Sequence, residues 1–277
     1  MPEEFPHYIE FRHVYKTFDK PVLVDSNFFV DVGQTVAIIG RSGVGKSVSL
    51  AHIMGFLKAD QGRVIVAHED ITEFPEAELN RIRRKVTMVF QSGALFDSLT
   101  VGENVLFSLE QREDYDYENK EQVVDGLLKL VGISEAKDAY PSDLSTGYRR
   151  AVAIARAIAA QPQCILYDEP TTMVDPIMSD HLTSLMLRLK KELRLTSVVV
   201  THDLDLLHNV ADKVIFLNKG RIAYFGPTAG LYESDNSDIQ EFLELDKVIR
   251  GASLSDTDPF RSGLGGVAPE AESASEA

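Results

Sequence analysis

Hydrophobic and polar positions in the first third of the chain follow strand and helix patterns in turn. The runs "YIEFRHVY" and "VLVDSNFFVD" are strand-like, and "TVAIIG" is apolar without a break, which is typical of a strand buried on both faces. A glycine-rich loop follows, and "KSVSLAHIMGFL" has helical spacing. A strand, a helix and a strand are then predicted in "GRVIVAHEDI", "PEAELNRIRRK" and "VTMVF". This order predicts an α/β layer with parallel strands.

The middle and the end of the chain differ from this beginning. From about residue 92 to 161 the pattern is mainly helical, which predicts a helical insertion. Strand and helix then alternate again, up to a hairpin that turns at Asn218, Lys219 and Gly220. A C-terminal helix is predicted over about 237–250. Residues 251–277 are rich in Ser, Ala, Gly, Pro and acidic residues, and they are predicted to be a disordered tail.

Charge and composition narrow the class of protein. The formal net charge of -15 opposes binding to nucleic acid, and the short basic run "RIRRK" is interpreted as a solvated helix face. Cys164 is the one cysteine and lies in an apolar run, so we expect it in the core. No stretch approaches the ~20 apolar residues of a membrane span, and the N-terminus lacks the pattern of a secretory signal. Any work at a membrane would then need another subunit.

The segment "GRSGVGKS" at residues 40–47 has the pattern of a phosphate-binding loop between a buried strand and a helix. Its glycines let backbone N–H groups face phosphates, Lys46 supplies a positive charge, and the Ser47 hydroxyl can ligate Mg²⁺. ATP and Mg²⁺ are therefore the expected ligands. The expected nucleotide-binding residues of this loop are Gly40, Ser42, Gly43, Gly45, Lys46 and Ser47.

The run "CILYDEP" supplies the second half of a nucleotide site. It is an apolar strand that ends in Asp168, which is placed to hold the magnesium shell, and Glu169 follows as a candidate base for the attacking water. Two acids at a strand end are also compatible with a turn or a helix cap. The phosphate-binding loop upstream favours the nucleotide site, because ligands bind at the carboxyl ends of parallel strands.

With these motifs in place, residues from about 8 to 235 resemble the nucleotide-binding domains of ABC transporters. That resemblance implies a P-loop NTPase fold with a RecA-like core, an antiparallel β subdomain and a helical subdomain at about 92–161, within a domain spanning 1–250. Gln91 resembles the Q-loop glutamine, which implies a role in sensing magnesium and in the link to a permease. "LSTGYRR" resembles the LSGGQ segment. Asp175 resembles the D-loop aspartate, His202 the switch histidine and Phe18 the aromatic residue that stacks on adenine.

The physical chemistry of these residues supports the assignments, but Ser145, His202 and Phe18 each have an alternative structural role. Ser145 and the backbone after it open a long helix, which makes an anion-binding helix N-terminus, although alone this is an ordinary N-cap. His202 can orient water near the γ-phosphate, although alone it is typical of a capping or core histidine. Because Gly147 has no side chain, the backbone at this position can approach the γ-phosphate closely. Phe18 is also compatible with a hairpin core.

The resemblance also implies a head-to-tail homodimer with two equivalent sites, because in this family the LSGGQ segment of one subunit covers the ATP of the other. Thr146 and Tyr148 depart from the LSGGQ pattern, and Met173 and Val174 depart from the residues expected before Asp175. We expect the phosphate contacts to survive these changes. The alternative is an ATP-binding scaffold in which Thr146 prevents productive closure.

The stretch from Phe90 to Phe107 is most similar to ATPase subunits of MCE/Mla-type transport systems for phospholipids and hydrophobic substrates. This similarity implies a permease whose coupling helix docks near Gln91 to Val101, an MCE substrate-binding protein, and a cytoplasmic location on the inner face of the membrane. A small accessory protein or the second subunit is a possible partner of the C-terminal helix, which has apolar positions at Ile239, Phe242, Leu243 and Leu245. The alternatives are an ABC importer for another solute, a non-transport ABC ATPase that acts on ribosomes or DNA, and a P-loop kinase.

Overall fold

A computed structural model describes residues 5–112 and 117–254. The strands are β1 (Ile9–Thr17), β2 (Pro21–Val30), β3 (Thr35–Ile39), β4 (Gln61–Val66), β5 (Glu69–Asp70), β6 (Val86–Val89), β7 (Cys164–Asp168), β8 (Thr196–Val200), β9 (Lys213–Asn218) and β10 (Arg221–Pro227). The helices are α1 (Lys46–Ile53), α2 (Glu76–Lys85), α3 (Val101–Glu110), α4 (Lys120–Leu130), α5 (Thr146–Ala159), α6 (Pro176–Leu193), α7 (Leu204–Val210), α8 (Thr228–Tyr232) and α9 (Ser237–Leu254).

The larger sheet has six strands in the order β10-β9-β3-β8-β7-β6, and all neighbours are parallel except β9 and β10. Every residue of β3 is buried. Val36 and Ile38 pack into one apolar cluster, whereas Ala37 and Ile39 pack into another on the opposite face. The unbroken apolar run therefore forms a strand buried on both faces, as predicted, and it places the loop after Ile39 at the centre of the sheet edge.

The smaller sheet is antiparallel, with the order β2-β1-β4-β5. The expectation of a purely parallel layer for the first third of the chain is wrong for these strands. A connection of three residues joins β1 to β2, and so short a link permits antiparallel pairing alone. The antiparallel subdomain implied by the family resemblance is present. Its edge strand β2 meets the larger sheet where Val24 N–H donates to Gly220 O at 2.8 Å.

The helices α3, α4 and α5 fall within the stretch predicted to be a helical insertion. They share one apolar cluster with α6 and with one face of the larger sheet. Local sequence explains where the helices begin. Thr100 and Glu103 form a capping box at α3, and Ser145, Asp175 and Asp203 cap α5, α6 and α7 with their side chains. Caps of this kind fix the first turn of each helix, and several of these turns lie at the candidate site.

The C-terminal part begins with the predicted hairpin of β9 and β10. Its two-residue turn has positive φ at Lys219 (49°) and Gly220 (76°), which suits a type I′ turn. Helix α9 follows and ends at Leu254, so it extends four residues into the segment predicted to be a disordered tail. The remainder of that segment, 255–277, lies outside the described residues. Cys164 is buried in the core, as expected.

Over the two described ranges, 5–112 and 117–254, we find no helix with the length and apolar character needed to cross a membrane.

Candidate active site

The phosphate-binding loop connects the central strand β3 to α1, and its backbone follows the wall formed by β9 and β2. A Cβ atom on Gly40 would lie 2.2 Å from Leu217 O, and one on Gly45 would lie 2.8 Å from Val22 O. Both positions therefore require glycine. The loop ends at Gly45, which precedes the first helical residue, Lys46. The first N–H groups of α1 have no partner within the helix and open towards the loop, which creates a place for anionic oxygens.

The Lys46 side chain spans this loop. Its Nζ donates to Gly40 O at 2.8 Å and to Arg41 O at 3.1 Å. Burial lowers the pKa of Lys46, while the charges of Glu169 and Asp168 oppose this effect. The ammonium group is thus held at the mouth of the loop, facing two carboxylates across it.

Ser47 and Asp168 bring together two oxygen donors from α1 and the end of β7. Ser47 Oγ donates to Asp168 Oδ1 at 3.2 Å. Burial raises the pKa of Asp168, and the Ser47 hydrogen bond partly offsets this rise. A divalent cation would remove the cost of burying that carboxylate. In the described residues we find no group of three or more His, Cys, Asp or Glu side chains arranged for a metal. This arrangement still fits Mg²⁺, which is held by one or two protein oxygens together with water and phosphates.

Glu169 lies one residue beyond β7 in a strained backbone conformation, with φ of 48°. Its N–H is anchored to Val200 O at 2.9 Å. Its carboxylate accepts hydrogen bonds from Thr172 Oγ1 at 2.9 Å and from His202 Nδ1 at 2.8 Å. Burial alone would raise the pKa of Glu169, but the hydrogen bond and charge of His202, with help from Thr172 and Lys46, hold that pKa below its usual value. Glu169 is therefore an ionised, oriented carboxylate at neutral pH.

His202 follows β8 and is the exposed member of this pair. The hydrogen bond to Glu169 raises the pKa of His202, against the opposing effect of burial. Asp203 caps α7 by accepting from the N–H groups of Asp205 and Leu206, and it also accepts from Thr171 Oγ1 at 3.1 Å. The loops after β7 and β8 are therefore joined to each other, which fixes the distance between Glu169 and His202.

One cavity of about 620 Å³ collects most of the predicted site residues. The predicted residues that line it are Phe18, Gly40, Ser42, Gly43, Gly45, Lys46, Ser47, Gln91, Glu169 and His202. Phe18 is 53% exposed, so it does not belong to a hairpin core. Sequence reasoning missed Val22, Arg41, Val48, Thr172 and Phe242, which also line the cavity. Thr172 could have been found from the position of its hydroxyl three residues after Glu169, whereas Phe242 of α9 carried no local signal.

Four predicted residues do not line this cavity in the described part of the chain: Asp168, Ser145, Gly147 and Asp175. Asp168 lies next to the cavity, since it accepts a hydrogen bond from the lining residue Ser47. Ser145 is exposed at the start of α5, where its Oγ accepts from Tyr148 N–H at 3.3 Å. Gly147 is buried within its own chain, because a Cβ there would lie 2.3 Å from Met178 Cγ. Within the chain, the lack of a side chain at Gly147 permits close packing of α5 on α6. Asp175 is exposed and caps α6 through Met178 N–H.

Gln91 begins an exposed loop that is held from two sides. Arg156 of α5 donates to Ala94 O at 2.7 Å and to Gly93 O at 3.1 Å. Asn104 of α3 is fully buried and bonds the loop backbone at Phe96 and at two further carbonyls. Sequence reasoning did not single out these anchors. An arginine within the Ala-rich run "AVAIARAIAA" is the signal that could have identified Arg156.

A second cavity, of about 640 Å³, is bordered by the basic run at the end of α2. Arg81 and Lys85 pair with Glu69 at 2.5 Å and 3.0 Å, and Arg83 pairs with Glu76. These acidic partners agree with the interpretation of the run as a solvated helix face. The cavity has neither the glycine loop nor the carboxylates of the first one, so its volume alone does not make it a nucleotide site.

Known proteins that resemble this chain in sequence share one family. A family profile described as "ABC transporter" matches residues 23–172. A methionine import ATP-binding protein, MetN 2 of Pseudomonas syringae pv. tomato, is 36% identical over 244 residues, which are 86% of this chain and 73% of that protein. MetN of Photobacterium profundum is 35% identical and covers 83% of this chain and 68% of its own length. These names favour the alternative expectation, an importer for another solute, over the MCE/Mla-type assignment.

Solved structures agree with the fold. A dimeric structure of MJ0796, described as a bacterial ABC transporter cassette, matches with a TM-score of 0.74 at 31% identity, over 79% of this chain and 98% of that one. A structure of the same cassette is described as a post-hydrolysis state with ADP and Pi. CbiO1 of Clostridium perfringens matches with a TM-score of 0.74 at 26% identity, over 94% and 99%. The chain thus belongs to the ABC transporter family, as an ATP-binding subunit with ATPase activity.

Proposed function

We propose that this chain hydrolyses ATP in a head-to-tail homodimer and thereby drives a separate membrane permease of an import system. The observation that carries the proposal is the placement of Glu169, ionised and held by His202 and Thr172, in the same cavity as the phosphate-binding loop. That combination suits attack of water on a terminal phosphoryl group. Neither the oriented Glu169 carboxylate nor the phosphate-binding loop would suffice for hydrolysis without the other.

The residues divide the work of hydrolysis between them. The glycine loop and the N-terminus of α1 bind the phosphates, and Lys46 leaves its two carbonyl partners to contact them. Glu169 accepts a hydrogen bond from the attacking water and polarises it, while His202 orients Glu169 and lies near the terminal phosphate. Mg²⁺ held by Ser47 and Asp168, with Gln91 beside it, would neutralise charge on the phosphates.

The Glu169→Gln substitution tests this division of work. It keeps the shape of the side chain but removes the charge that polarises water, so we expect turnover to fall by about 10²–10⁴-fold. Binding of a fluorescent ATP analogue should persist. The control is Glu192→Gln, the same chemical change on the exposed face of α6. Equal turnover in both variants would contradict the proposed role of Glu169.

A composite site explains why Ser145 and Asp175 lie outside the cavity of their own chain. The side chains of Met173 and Ile177, on either side of Asp175, are 87% and 84% exposed. Apolar side chains so fully exposed are typical of a surface that another subunit covers. In the proposed dimer Ser145 and the N-terminus of α5 reach the nucleotide of the partner subunit. The dimeric cassette structure of a relative supports this arrangement.

The permease is proposed to dock beside the loop from Gln91 to Val101. Phe96 and Phe107 are both exposed and form an edge-to-face pair with ring centroids 4.7 Å apart. An exposed aromatic pair next to a firmly held loop suits an apolar coupling helix from another protein. Docking there would place the chain on the cytoplasmic face of the membrane, held by the permease.

Two classes of transported solute are candidates. The relatives named for methionine import favour a small polar solute such as an amino acid. A phospholipid or hydrophobic substrate, with an MCE protein as a further partner, is the second candidate, favoured by the segment from Phe90 to Phe107. In either case the proposed solute site lies on other subunits, so experiments on the assembled complex must distinguish the two candidates.

Affinity capture identifies the partner. Tagged Glu169→Gln protein with ATP is used as bait on detergent-solubilised membranes, and we expect an integral permease to be retained. The Phe96→Ser protein should no longer retain the permease. The control is Val32→Ser, the same kind of change at an exposed position distant from Phe96 in the sequence, and this protein should still retain it. Retention of ribosomal or DNA-bound proteins in place of a permease would contradict the proposal.

The captured complex then separates the two substrates after reconstitution into liposomes. Stimulation of ATP turnover and uptake by methionine would establish the amino-acid importer. Transfer of phospholipid, together with an MCE-domain protein in the complex, would establish the second candidate.

A further inference from the structure

Helix α9 is firmly attached to the core beside the nucleotide cavity. Asn236 Oδ1 accepts from Asp238 N–H at 2.9 Å at the start of the helix. Ile239 and Leu243 are buried in the apolar cluster that also contains Ile39, the last residue of β3 before the phosphate-binding loop. The first turns of α9 therefore have a fixed position relative to that loop.

Two consecutive residues of α9 reach the site from this position. Glu241 Oε1 lies 2.6 Å from the guanidinium of Arg41, which belongs to the phosphate-binding loop. Phe242 packs on Phe216 of β9, with ring centroids 5.4 Å apart, and lines the nucleotide cavity together with Gly40 and Arg41. These contacts bring a helix from the far end of the chain to the phosphate-binding loop.

We propose that Phe242 and Glu241 are positioning residues of the nucleotide site, so that docking of α9 and binding of ATP favour each other. The proposal rests on the assignment of this cavity to ATP. Phe242 closes one wall of the cavity and limits the space into which the loop can move. Glu241 holds the Arg41 side chain at the edge of the cavity and so prevents that side chain from folding over the phosphate-binding loop.

The two contacts differ in strength. The side chains of Arg41 and Glu241 are 54% and 59% exposed, and an exposed ion pair shifts an equilibrium by about two- to fivefold at most. Phe242 is half-buried between β9 and the cavity, so its apolar contact should carry the larger part of the effect. Reciprocity then requires ATP to stabilise docked α9 as strongly as docked α9 stabilises bound ATP.

Nucleotide affinity of the full-length chain tests the proposal. We expect Phe242→Ala to raise both the Kd of a fluorescent ATP analogue and the KM for ATP by about 3–10-fold, while kcat at saturating ATP stays within about twofold. Phe242→Leu retains the apolar wall and should restore most of the affinity. Leu245→Ala removes an exposed apolar side chain of the same helix that does not line the cavity, and it should change nothing.

Undocking the helix provides a second variant in which no cavity-lining residue is itself substituted. Ile239→Asp places a charge in the apolar cluster, so it should release α9 and raise Kd at least as much as Phe242→Ala. Hydrogen exchange over residues 237–245 reports docking directly. In the unmodified chain this exchange should slow when ATP is added, and in Lys46→Ala it should not.

An unchanged Kd in Phe242→Ala, or in Ile239→Asp once hydrogen exchange shows that α9 is released, would overturn the proposal. Charge reversal offers an independent check, since Arg41→Glu and Glu241→Arg should each weaken binding and together restore it at low salt. Failure of the unmodified chain to bind ATP would instead overturn the assignment of the cavity itself, so the two failures can be told apart.

Discussion

The pairing of Glu169 with His202 joins two residues whose protonation states depend on each other. The pKa of His202 is raised above its usual 6.5, so its contribution to stability is complete below that pH and is lost as pH rises through the folded-state value. The pKa of Glu169 is lowered below its usual 4.5, so its contribution is present above that pH and is lost as pH falls through the folded-state value. The pair therefore stabilises the fold most between about pH 4.5 and 6.5.

We expect His202→Ala to destabilise the chain more at pH 6 than at pH 8. The His202 side chain is 60% exposed, so solvent screening limits the difference to less than about 1 kcal/mol. Urea unfolding of both proteins at the two pH values measures it. A larger destabilisation at pH 8 would mean that His202 is neutral in the pair and that Glu169 does not raise its pKa.

Gly147 is held by close packing within its own chain, apart from the nucleotide contact that the family resemblance implies. The near neighbours of a Cβ at this position are Met178 and Val174. We expect Gly147→Ala to destabilise the fold by about 1–3 kcal/mol through overpacking, and Met178→Ala to relieve part of that cost.

The control for this prediction is Gly126→Ala, also inside a helix. A Cβ at Gly126 would meet nothing within 4 Å, so this substitution should stabilise the chain by about 0.5–1 kcal/mol. Thermal unfolding of the variants provides the comparison. Equal effects of the two substitutions would contradict the packing argument.

At the residue scale, local sequence patterns identify candidate site residues but do not reveal the backbone conformations and tertiary contacts that orient them. Local patterns point to Lys46 and Ser47 at the end of a glycine-rich loop, and to Asp168 and Glu169 at the end of a buried strand. The left-handed backbone of Glu169 is set by the tertiary hydrogen bond to Val200. No local pattern encodes such a constraint.

Among the elements, the loop after β6 depends on the two helices that hold it. Asn104 accepts from Phe96 N–H at 2.8 Å and donates to Phe96 O, Leu99 O and Thr100 O at 2.9–3.1 Å. Because Asn104 is fully buried, all four bonds are shielded from water. The loop is thus held firmly to α3, as the proposed docking of a permease at this loop requires.

We expect Asn104→Leu, which keeps the volume but removes every one of these bonds, to destabilise the chain by about 1–3 kcal/mol. Hydrogen exchange should become faster over residues 91–100, and ATP turnover without the permease should change little. Leu106→Ala on the same helix is the control, because it removes apolar packing without touching the loop bonds. Unchanged loop exchange in Asn104→Leu would contradict this account.

The predicted strands and helices were mostly correct because hydrophobic periodicity reports burial directly. The sequence did not reveal which sheet each strand joins. β1, β2 and β4 read as strands, but their antiparallel pairing follows from short connections and from contacts between residues distant in sequence. Helix α9 includes residues 251–254, which the sequence pattern assigns to a tail, because this turn has the small-residue composition that also describes a tail.

For the whole molecule, the predicted site residues of the described chain lie in two separate places. The phosphate-binding loop, Glu169 and His202 line one cavity, whereas Ser145 lies at an exposed helix start outside it. The exposed Met173 and Ile177 lie beside Asp175 on a surface that suits a second copy. The family resemblance, carried by the motifs, implies that these two places meet only in a dimer. The solute could not be predicted, because in the proposed transport system it binds to other subunits.

The mass of the Glu169→Gln protein with and without ATP tests the central claim most directly. This variant should bind ATP without hydrolysing it, so light scattering should give the 30.7 kDa chain mass without nucleotide and about twice that mass with ATP. Adding Ser145→Arg should abolish the ATP-dependent dimer while leaving ATP binding intact. A protein that binds ATP and remains monomeric at high concentration, or a dimer that ignores Ser145→Arg, would contradict the composite site.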